Sequence, residues 1–164
     1  MIKHQTSPYK HIWSILCQST SIDRDSNRLS ILNIIEEVTV QKLNNVGIPV
    51  DQKRLIQAGS IKAPSIVPLE FEIMSLFERL DDKDSNILTK KAQLELTDPL
   101  NKSLLTQIIE INFPKGFKRL RYRIKINGLP ITTAGAYRFI IRIQESEDLR
   151  FTQITEIPLD IKFA

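Results

Sequence analysis

Hydrophobic and polar residues alternate with a period of two along most of this chain. Such alternation is typical of β-strands that bury one face, and the alternating stretches are rich in the β-branched and aromatic residues that strands favour. The pattern predicts eight strands: His11 to Ser21, Arg28 to Val40, Leu69 to Leu80, Leu88 to Thr97, Leu105 to Phe113, Lys118 to Asn127, Ala136 to Glu145 and Phe151 to Phe163. A strand count of this size indicates an all-β sandwich or barrel.

Turn-forming residues separate the predicted strands. Asp, Asn, Ser, Pro and Gly cluster at Asp23 to Asn27, Asp81 to Asn86, Asp98 to Asn101, Pro114 to Gly116 and Asn127 to Gly135. Aspartate and asparagine accept hydrogen bonds from the local backbone, while glycine and proline favour turn conformations. The regular spacing favours antiparallel hairpins and Greek-key connections, as in an antiparallel β-sandwich.

One longer segment, Gln41 to Pro68, interrupts this rhythm. It contains three prolines, and Asp51 to Gly59 has the signals of a short helix, with aspartate as N-cap and glycine at the end. A connection of this length is either a simple crossover between two sheets or a functional loop. We therefore predict a single β-sandwich domain over residues 1–164, with one long crossover loop that can hold a short helix.

The composition indicates a globular protein of ordinary polarity. The chain is 41% hydrophobic and 26% charged, and its length is enough to bury a core without disulfides. Its single cysteine, Cys17, has no intramolecular partner, as is usual in a reducing compartment. Met1 to Pro8 lacks the apolar run of a signal peptide, and no stretch approaches the roughly 20 apolar residues that span a bilayer. We expect a cytoplasmic protein with no membrane span.

Few residues have the chemistry and spacing that catalysis requires. The two histidines, His4 and His11, lie in or beside the first predicted strand. His11 and Cys17 would share a strand face but stand about 20 Å apart on a straight strand. Zinc-type ligand spacing and a glycine-rich phosphate loop are both missing from the sequence. We expect a protein that is not an enzyme and that uses no metal and no cofactor.

Two aspartate-rich loops have nearly the same sequence. Asp23 to Asn27 and Asp82 to Asn86 both show Asp-x-Asp-x-Asn spacing, which can place oxygen ligands around calcium. Neither loop completes an EF-hand, and each has a cation in its middle. The same residues are what tight turns require. The turn interpretation is favoured, and calcium-dependent surface binding through these loops remains an alternative.

Positive charge is concentrated in the last third of the chain. Between Glu110 and Glu145 there are eight cations and no acidic residue, whereas the whole chain has a net charge of +4. An electropositive surface attracts partners of the opposite sign. We predict that six of these cations form one binding surface on an outer sheet face: Arg119, Arg121, Arg123, Lys125, Arg138 and Arg142.

Strand geometry supports this surface and leaves its use open. From Arg119 to Lys125 the cations occupy alternate positions, and they would join Arg138 and Arg142 if the two strands paired as a hairpin. Outward-facing glutamates could neutralise the face, an acidic protein partner or a second copy of the chain could bind it, or it could contact nucleic acid. Nucleic acid is the weaker of the binding alternatives, because Tyr122 and Tyr137 would point inward and offer no stacking platform.

The segment Ala134-Gly135-Ala136-Tyr137-Arg138-Phe139 resembles the start of the penultimate strand of immunoglobulin-like sandwiches, where a Gly-x-Tyr-x-Cys pattern forms a tyrosine corner. Phe139 occupies the position of the disulfide cysteine, so the resemblance is to the architecture and not to secreted antibody-type domains. Together with Ser21 to Glu37, this strand resembles a family of small uncharacterised bacterial β-sandwich proteins. That family has no established activity, so no functional residue follows from it.

The resulting expectation is a non-enzymatic binding or assembly module in a bacterial cytoplasm. It would use the basic outer sheet face for protein–protein interaction with an acidic partner or for homo-oligomerisation. The alternatives are nucleic-acid binding through the basic hairpin and calcium-dependent surface binding through the two aspartate-rich loops.

Overall fold

The computed structural model describes residues 8–41, 64–80, 87–144 and 150–164. These residues form nine strands and no helix: β1 (Tyr9–Ile22), β2 (Leu29–Ile34), β3 (Glu37–Val40), β4 (Ser65–Arg79), β5 (Leu88–Thr97), β6 (Ser103–Phe113), β7 (Arg119–Ile131), β8 (Gly135–Gln144) and β9 (Phe151–Phe163). The predicted helix at Asp51 to Gly59 and the second aspartate-rich loop lie outside the described residues.

The strands form two sheets. One has four strands in the order β2-β1-β4-β7, and the other has five in the order β3-β9-β8-β5-β6. Neighbouring strands are antiparallel except β3 and β9, which are parallel. The expected all-β, sandwich-like architecture is confirmed.

The core lies between the inner faces of the two sheets, as the alternation predicted. Phe71 and Ile73 of β4 pack in one cluster with Leu94 of β5 and with Phe139 and Ile141 of β8. All five side chains are buried. A smaller cluster of aromatic residues closes one end of the core, where Tyr9 stacks on Phe113 with 5.7 Å between ring centroids.

The predicted strand from Arg28 to Val40 is two strands in different sheets. Asn33, near the end of β2, has a left-handed φ of 51°, a conformation that asparagine tolerates better than most residues. The amide of Ile35 then donates to the carbonyl of Leu16 in the first sheet, whereas the carbonyl of Glu36 accepts from the amide of Asp160 in the second. The chain therefore changes sheets at these two residues.

Strands β7 and β8 do not form the predicted hairpin. β7 pairs with β4, and β8 lies between β5 and β9 in the other sheet. Residues 132–134 connect the two strands and carry the chain across the sandwich. Gly135, which follows, has a φ of 134°, and a Cβ atom there would lie 2.8 Å from Cγ of Pro99. This position therefore requires glycine for both conformation and space.

Strand β1 bends near its middle, so its second half no longer runs in the plane of the first sheet. Residues up to Cys17 pair with β4, and residues from Cys17 onward pair with β2. Trp13 and Ile22 line the same cavity although they are nine positions apart, which is about 30 Å along a straight strand. The hydroxyl of Thr20 also donates to the carboxylate of Glu72, on the outward side of β4. The β1–β2 hairpin therefore folds over the outer face of the first sheet.

Candidate functional site: the outer face of strand β7

Alternation along β7 places its cations on the outer face, as predicted. Ile124 and Ile126 are buried, whereas Arg123 and Lys125 between them are exposed. We call the four cations of this strand the β7 basic row: Arg119, Arg121, Arg123 and Lys125. The neighbouring strand β4 presents Glu72 opposite Lys125 and Glu78 opposite Arg119.

Part of the β7 basic row is neutralised by β4. Nη1 of Arg123 lies 3.7 Å from a carboxylate oxygen of Glu72, a side chain that is only 10% exposed. Just before the strand, Nζ of Lys118 lies 4.0 Å from a carboxylate oxygen of Glu78. The Lys118 pair contributes little to stability, because its exposed ammonium is screened by water and salt.

Arg121 is occupied by the β1–β2 hairpin. Its Nη1 donates to Oδ1 of Asn27 and its Nη2 donates to the backbone carbonyl of the same residue, both at 3.0 Å. Asn27 adopts a left-handed φ of 52°, which turns its carbonyl and side chain toward the guanidinium together. Arg121 therefore holds the tip of the hairpin against β7.

Arg119 and Lys125 remain exposed at the two ends of the row. Among the described residues, neither side chain has an ion pair or a hydrogen bond. On strands β4 and β7, with Lys118 included, five cations face the three carboxylates of Glu70, Glu72 and Glu78, and the two aspartates of the hairpin tip, Asp23 and Asp25, are balanced by Arg24 and Arg28. The outer face of the first sheet is thus electropositive after its internal pairs are formed.

The prediction that six cations form one continuous surface is wrong. Arg138 and Arg142 belong to β8 in the second sheet, because the connection after β7 crosses the sandwich instead of turning back as a hairpin. Each also has an acidic neighbour on that sheet. Arg138 hydrogen-bonds Asn101 and lies 3.7 Å from Glu156, and Arg142 forms an ion pair with Glu95.

The ion pair between Arg142 and Glu95 on the second sheet stabilises the charged form of the glutamate. The hydrogen bond from Arg142 lowers the pKa of Glu95, and it outweighs the partial burial of that carboxylate, which acts in the opposite direction. Arg142 is only 25% exposed. Local neutralisation by glutamates, which the sequence left open, therefore accounts for the β8 arginines better than a free binding surface does.

The β7 basic row also lies on a sheet edge. Within the described residues no strand pairs with β7 on the side away from β4. Cations on an edge strand keep strands of other molecules from pairing there, which is a structural reason for such residues without any ligand. An acidic segment would not be repelled by them.

The first aspartate-rich loop uses its carboxylate within the turn. Oδ1 of Asp23 accepts hydrogen bonds from the amides of Ser26 at 2.7 Å and Asp25 at 2.9 Å. Hydrogen bonds from the backbone and side chain of Ser26 are the main reason that the pKa of Asp23 is lowered. No group of three metal-ligating side chains occurs among the residues that the structure describes.

A serine–histidine contact occurs that the sequence did not indicate. Nε2 of His11 lies 2.8 Å from Oγ of Ser14, which lies 2.7 Å from Oγ of Ser75. A bulge between His11 and Trp13 shifts the alternation of β1, so residues three apart meet. Burial lowers the pKa of His11, and it outweighs a hydrogen bond with the backbone of Trp13, which acts in the opposite direction. No carboxylate orients this histidine within the described residues, so the contact lacks the third member of a catalytic triad.

Cys17 is placed where it cannot act as an accessible nucleophile. Its side chain is fully buried, and the thiol donates a weak hydrogen bond to the carbonyl of Glu72 at 3.7 Å. Burial, together with the nearby charge of Glu72, raises the pKa of the thiol. A raised pKa disfavours the thiolate, which is the reactive form.

Comparison with known proteins adds little to these observations. No protein-family model matches the chain, and no curated protein matches it. Among solved structures, the chain is similar to the N-terminal domain of PorA, with 8% sequence identity over 92% of this chain and 97% of that chain and a TM-score of 0.26. A TM-score this low carries no conclusion about function. None of the described residues forms a helix long and apolar enough to cross a membrane.

Proposed function

We propose that the chain is a non-enzymatic binding or assembly module whose β7 basic row binds an acidic segment of a partner protein. The observation that carries the proposal is the unpaired state of Arg119 and Lys125, among the described residues, on a face where cations outnumber carboxylates. Exposed charge of one sign raises the rate at which an oppositely charged partner associates.

The row also has the geometry to recognise an extended chain. Alternate residues of a strand are about 6.6 Å apart, so a neighbouring strand could place carboxylates opposite Arg119 and Lys125, the two cations of the row that have no partner among the described residues. The backbone of β7 is unpaired along its outer edge within the described residues, and an added strand could hydrogen-bond to it. An acidic partner protein fits this surface, and a second copy of the chain would fit it through its own acidic residues.

We assign the module to the immunoglobulin-like class of sandwiches. The buried Tyr137 supports this class, because its hydroxyl bonds the backbone of the preceding connection as in a tyrosine corner. A cytoplasmic location also belongs to the proposal, since the single cysteine of the chain cannot form an intramolecular disulfide.

The test uses a fluorescent ten-residue glutamate-rich peptide and measures its anisotropy on binding. We expect saturable binding that weakens as salt rises, and a loss of at least about tenfold in affinity for the double variant Arg119→Glu/Lys125→Glu. The matched control is Lys91→Glu/Arg150→Glu, which makes the same charge change at two exposed positions away from β7, one in β5 and one just before β9. Equal loss in both variants would show a response to net charge and contradict the assignment of the site.

Anisotropy with a nucleic-acid probe tests the first alternative. A fluorescent single-stranded oligonucleotide that binds more tightly than the peptide, and loses binding in the Arg119→Glu/Lys125→Glu variant, would replace the protein partner with nucleic acid. Tyr122 is directed to the backbone of Glu110 and Tyr137 is buried, so neither ring is free to stack on a base.

A rise in melting temperature with calcium would instead support the aspartate-rich loops. Sedimentation of the unmodified protein would reveal self-association.

A further inference from the structure

A cavity of about 700 Å³ lies between the β1–β2 hairpin and the outer face of the first sheet. Its volume is in the range of sites for small molecules. The floor is formed by Trp13 and Leu76, which are opposite each other in β1 and β4. Leu29 of the hairpin and Phe117 of the turn before β7 form its sides. The cavity therefore exists because the hairpin bends over the sheet.

The apolar lining of this cavity includes large side chains that are open to a ligand. Phe117 is 61% exposed, and Ile22 on the hairpin side is 46% exposed. Single exposed apolar residues are common on protein surfaces and need no explanation. Here Phe117 and Ile22 line one cavity together with Trp13, so a single apolar molecule could cover all three side chains.

Two arginines stand in the same lining. Arg121 is held by its two hydrogen bonds to Asn27, which also lines the cavity, so its guanidinium is fixed in place. Arg119 is exposed and has no hydrogen-bonding or ionic partner among the described residues. A guanidinium has five N–H donors in a planar fork that suits the two oxygens of a carboxylate.

We propose that this cavity binds a small organic carboxylate with an apolar body. The carboxylate would be received by Arg119, with Arg121 adding positive charge, and the apolar body would lie on Trp13 and Leu76. Only a ligand with both a carboxylate and an apolar body uses the whole site. An uncharged apolar molecule would leave Arg119 unpaired, and a small polar anion would leave Trp13 and Leu76 uncovered. This site shares Arg119 with the acidic-segment proposal, but Lys125, which that proposal also requires, lies outside the cavity.

Trp13 is the single tryptophan of the chain, so tryptophan fluorescence reports on binding in this cavity. Titration of the unmodified protein with octanoate, followed by tryptophan fluorescence and by calorimetry, should give a saturable signal. Octan-1-ol lacks the charge and acetate lacks the apolar body, so each should bind at least about tenfold more weakly. Absence of saturable binding by both methods would overturn the proposal, and so would octan-1-ol binding as tightly as octanoate.

Two single variants locate the carboxylate. Arg119→Gln should weaken octanoate binding by about tenfold, since a charge-assisted bidentate contact is lost. Lys125→Gln removes an equal charge from the same face but outside the cavity, and it should leave octanoate binding unchanged. If both variants weaken binding equally, the anion is attracted by general charge and the cavity is not its site. The two proposals can fail separately, because the peptide assay depends on Lys125 and the octanoate assay does not.

Discussion

The hydroxyl of Tyr137 donates a 2.7 Å hydrogen bond to the carbonyl of Thr133, four residues earlier in the chain. The same oxygen accepts hydrogen bonds from the amides of Thr132 at 2.9 Å and Thr133 at 3.1 Å. The tyrosine is fully buried, as expected of a side chain that the sequence predicted to point inward. Because that connection carries the chain from one sheet to the other, Tyr137 fixes the crossing.

Removal of this hydroxyl should be costly. In Tyr137→Phe the amides and carbonyl of the connection lose their partner, and an unsatisfied buried polar group costs about 1–3 kcal/mol. Urea denaturation should therefore show a lower free energy of unfolding by that amount. Tyr122→Phe is the matched control, since its hydroxyl makes one 3.1 Å bond to the carbonyl of Glu110 near the surface. Equal, small effects of both variants would contradict the role assigned to Tyr137.

Local alternation was sufficient to predict which side chains face outward, but not which strands are neighbours. Three connecting residues span about 10 Å, which is enough to close a hairpin and also enough to cross to a sheet about 10 Å away. The length of the connection after β7 therefore could not distinguish the two paths. The segment Arg28 to Val40 was ambiguous for a related reason, since alternation continues on both sides of the sheet change.

The candidate site was predictable only in part. The sequence identified the outward cations of β7, and it left open their neutralisation by outward-facing glutamates, which Glu72 provides for Arg123. It contained no signal for the contact between Arg121 and Asn27, which are 94 positions apart and meet only because β1 bends. The cavity under the hairpin depends on that bend, so it could not be read from any local pattern.

Asp98 should stabilise the fold in a pH-dependent way. It is 2% exposed, and it accepts hydrogen bonds from the amides of Leu100 and Lys102 and from the hydroxyl of Thr132. Burial alone would raise the pKa of Asp98, but these hydrogen bonds outweigh it and the pKa is lowered. The carboxylate therefore stabilises the folded state above its unfolded pKa of about 4, and this contribution is lost as the pH falls through the lower folded value.

The measurement compares Asp98→Ala with the unmodified protein by urea denaturation between pH 7 and pH 3. We expect a loss on the order of 1–3 kcal/mol at pH 7 and a smaller difference below about pH 4. Asp98→Asn is the control, because its amide oxygen can still accept from the backbone of Leu100 and Lys102. A difference that stays constant over the whole pH range would contradict the charged role of Asp98.

Arg121 should control the docking of the β1–β2 hairpin. In Arg121→Ala the two hydrogen bonds to Asn27 are lost, so amides of residues 19–34 should exchange with deuterium faster, while those of β4 stay protected. Global stability should fall by only about 1 kcal/mol, because the contact is at the surface. Lys125→Ala, at the other end of the row, should leave exchange of the hairpin unchanged. Unchanged exchange in Arg121→Ala would mean that other contacts hold the hairpin.

Strand β9 should be required for the second sheet. It lies between β3 and β8, and its residues Ile157, Leu159 and Ile161 are buried in the core. Leu159→Ala should lower the free energy of unfolding by about 2–5 kcal/mol, because truncation removes apolar contact and leaves a cavity. Phe163→Ala is the control, since that side chain is 37% exposed and should cost much less. Thermal or urea unfolding would measure both, and an unchanged stability of Leu159→Ala would show that β9 is dispensable to the core.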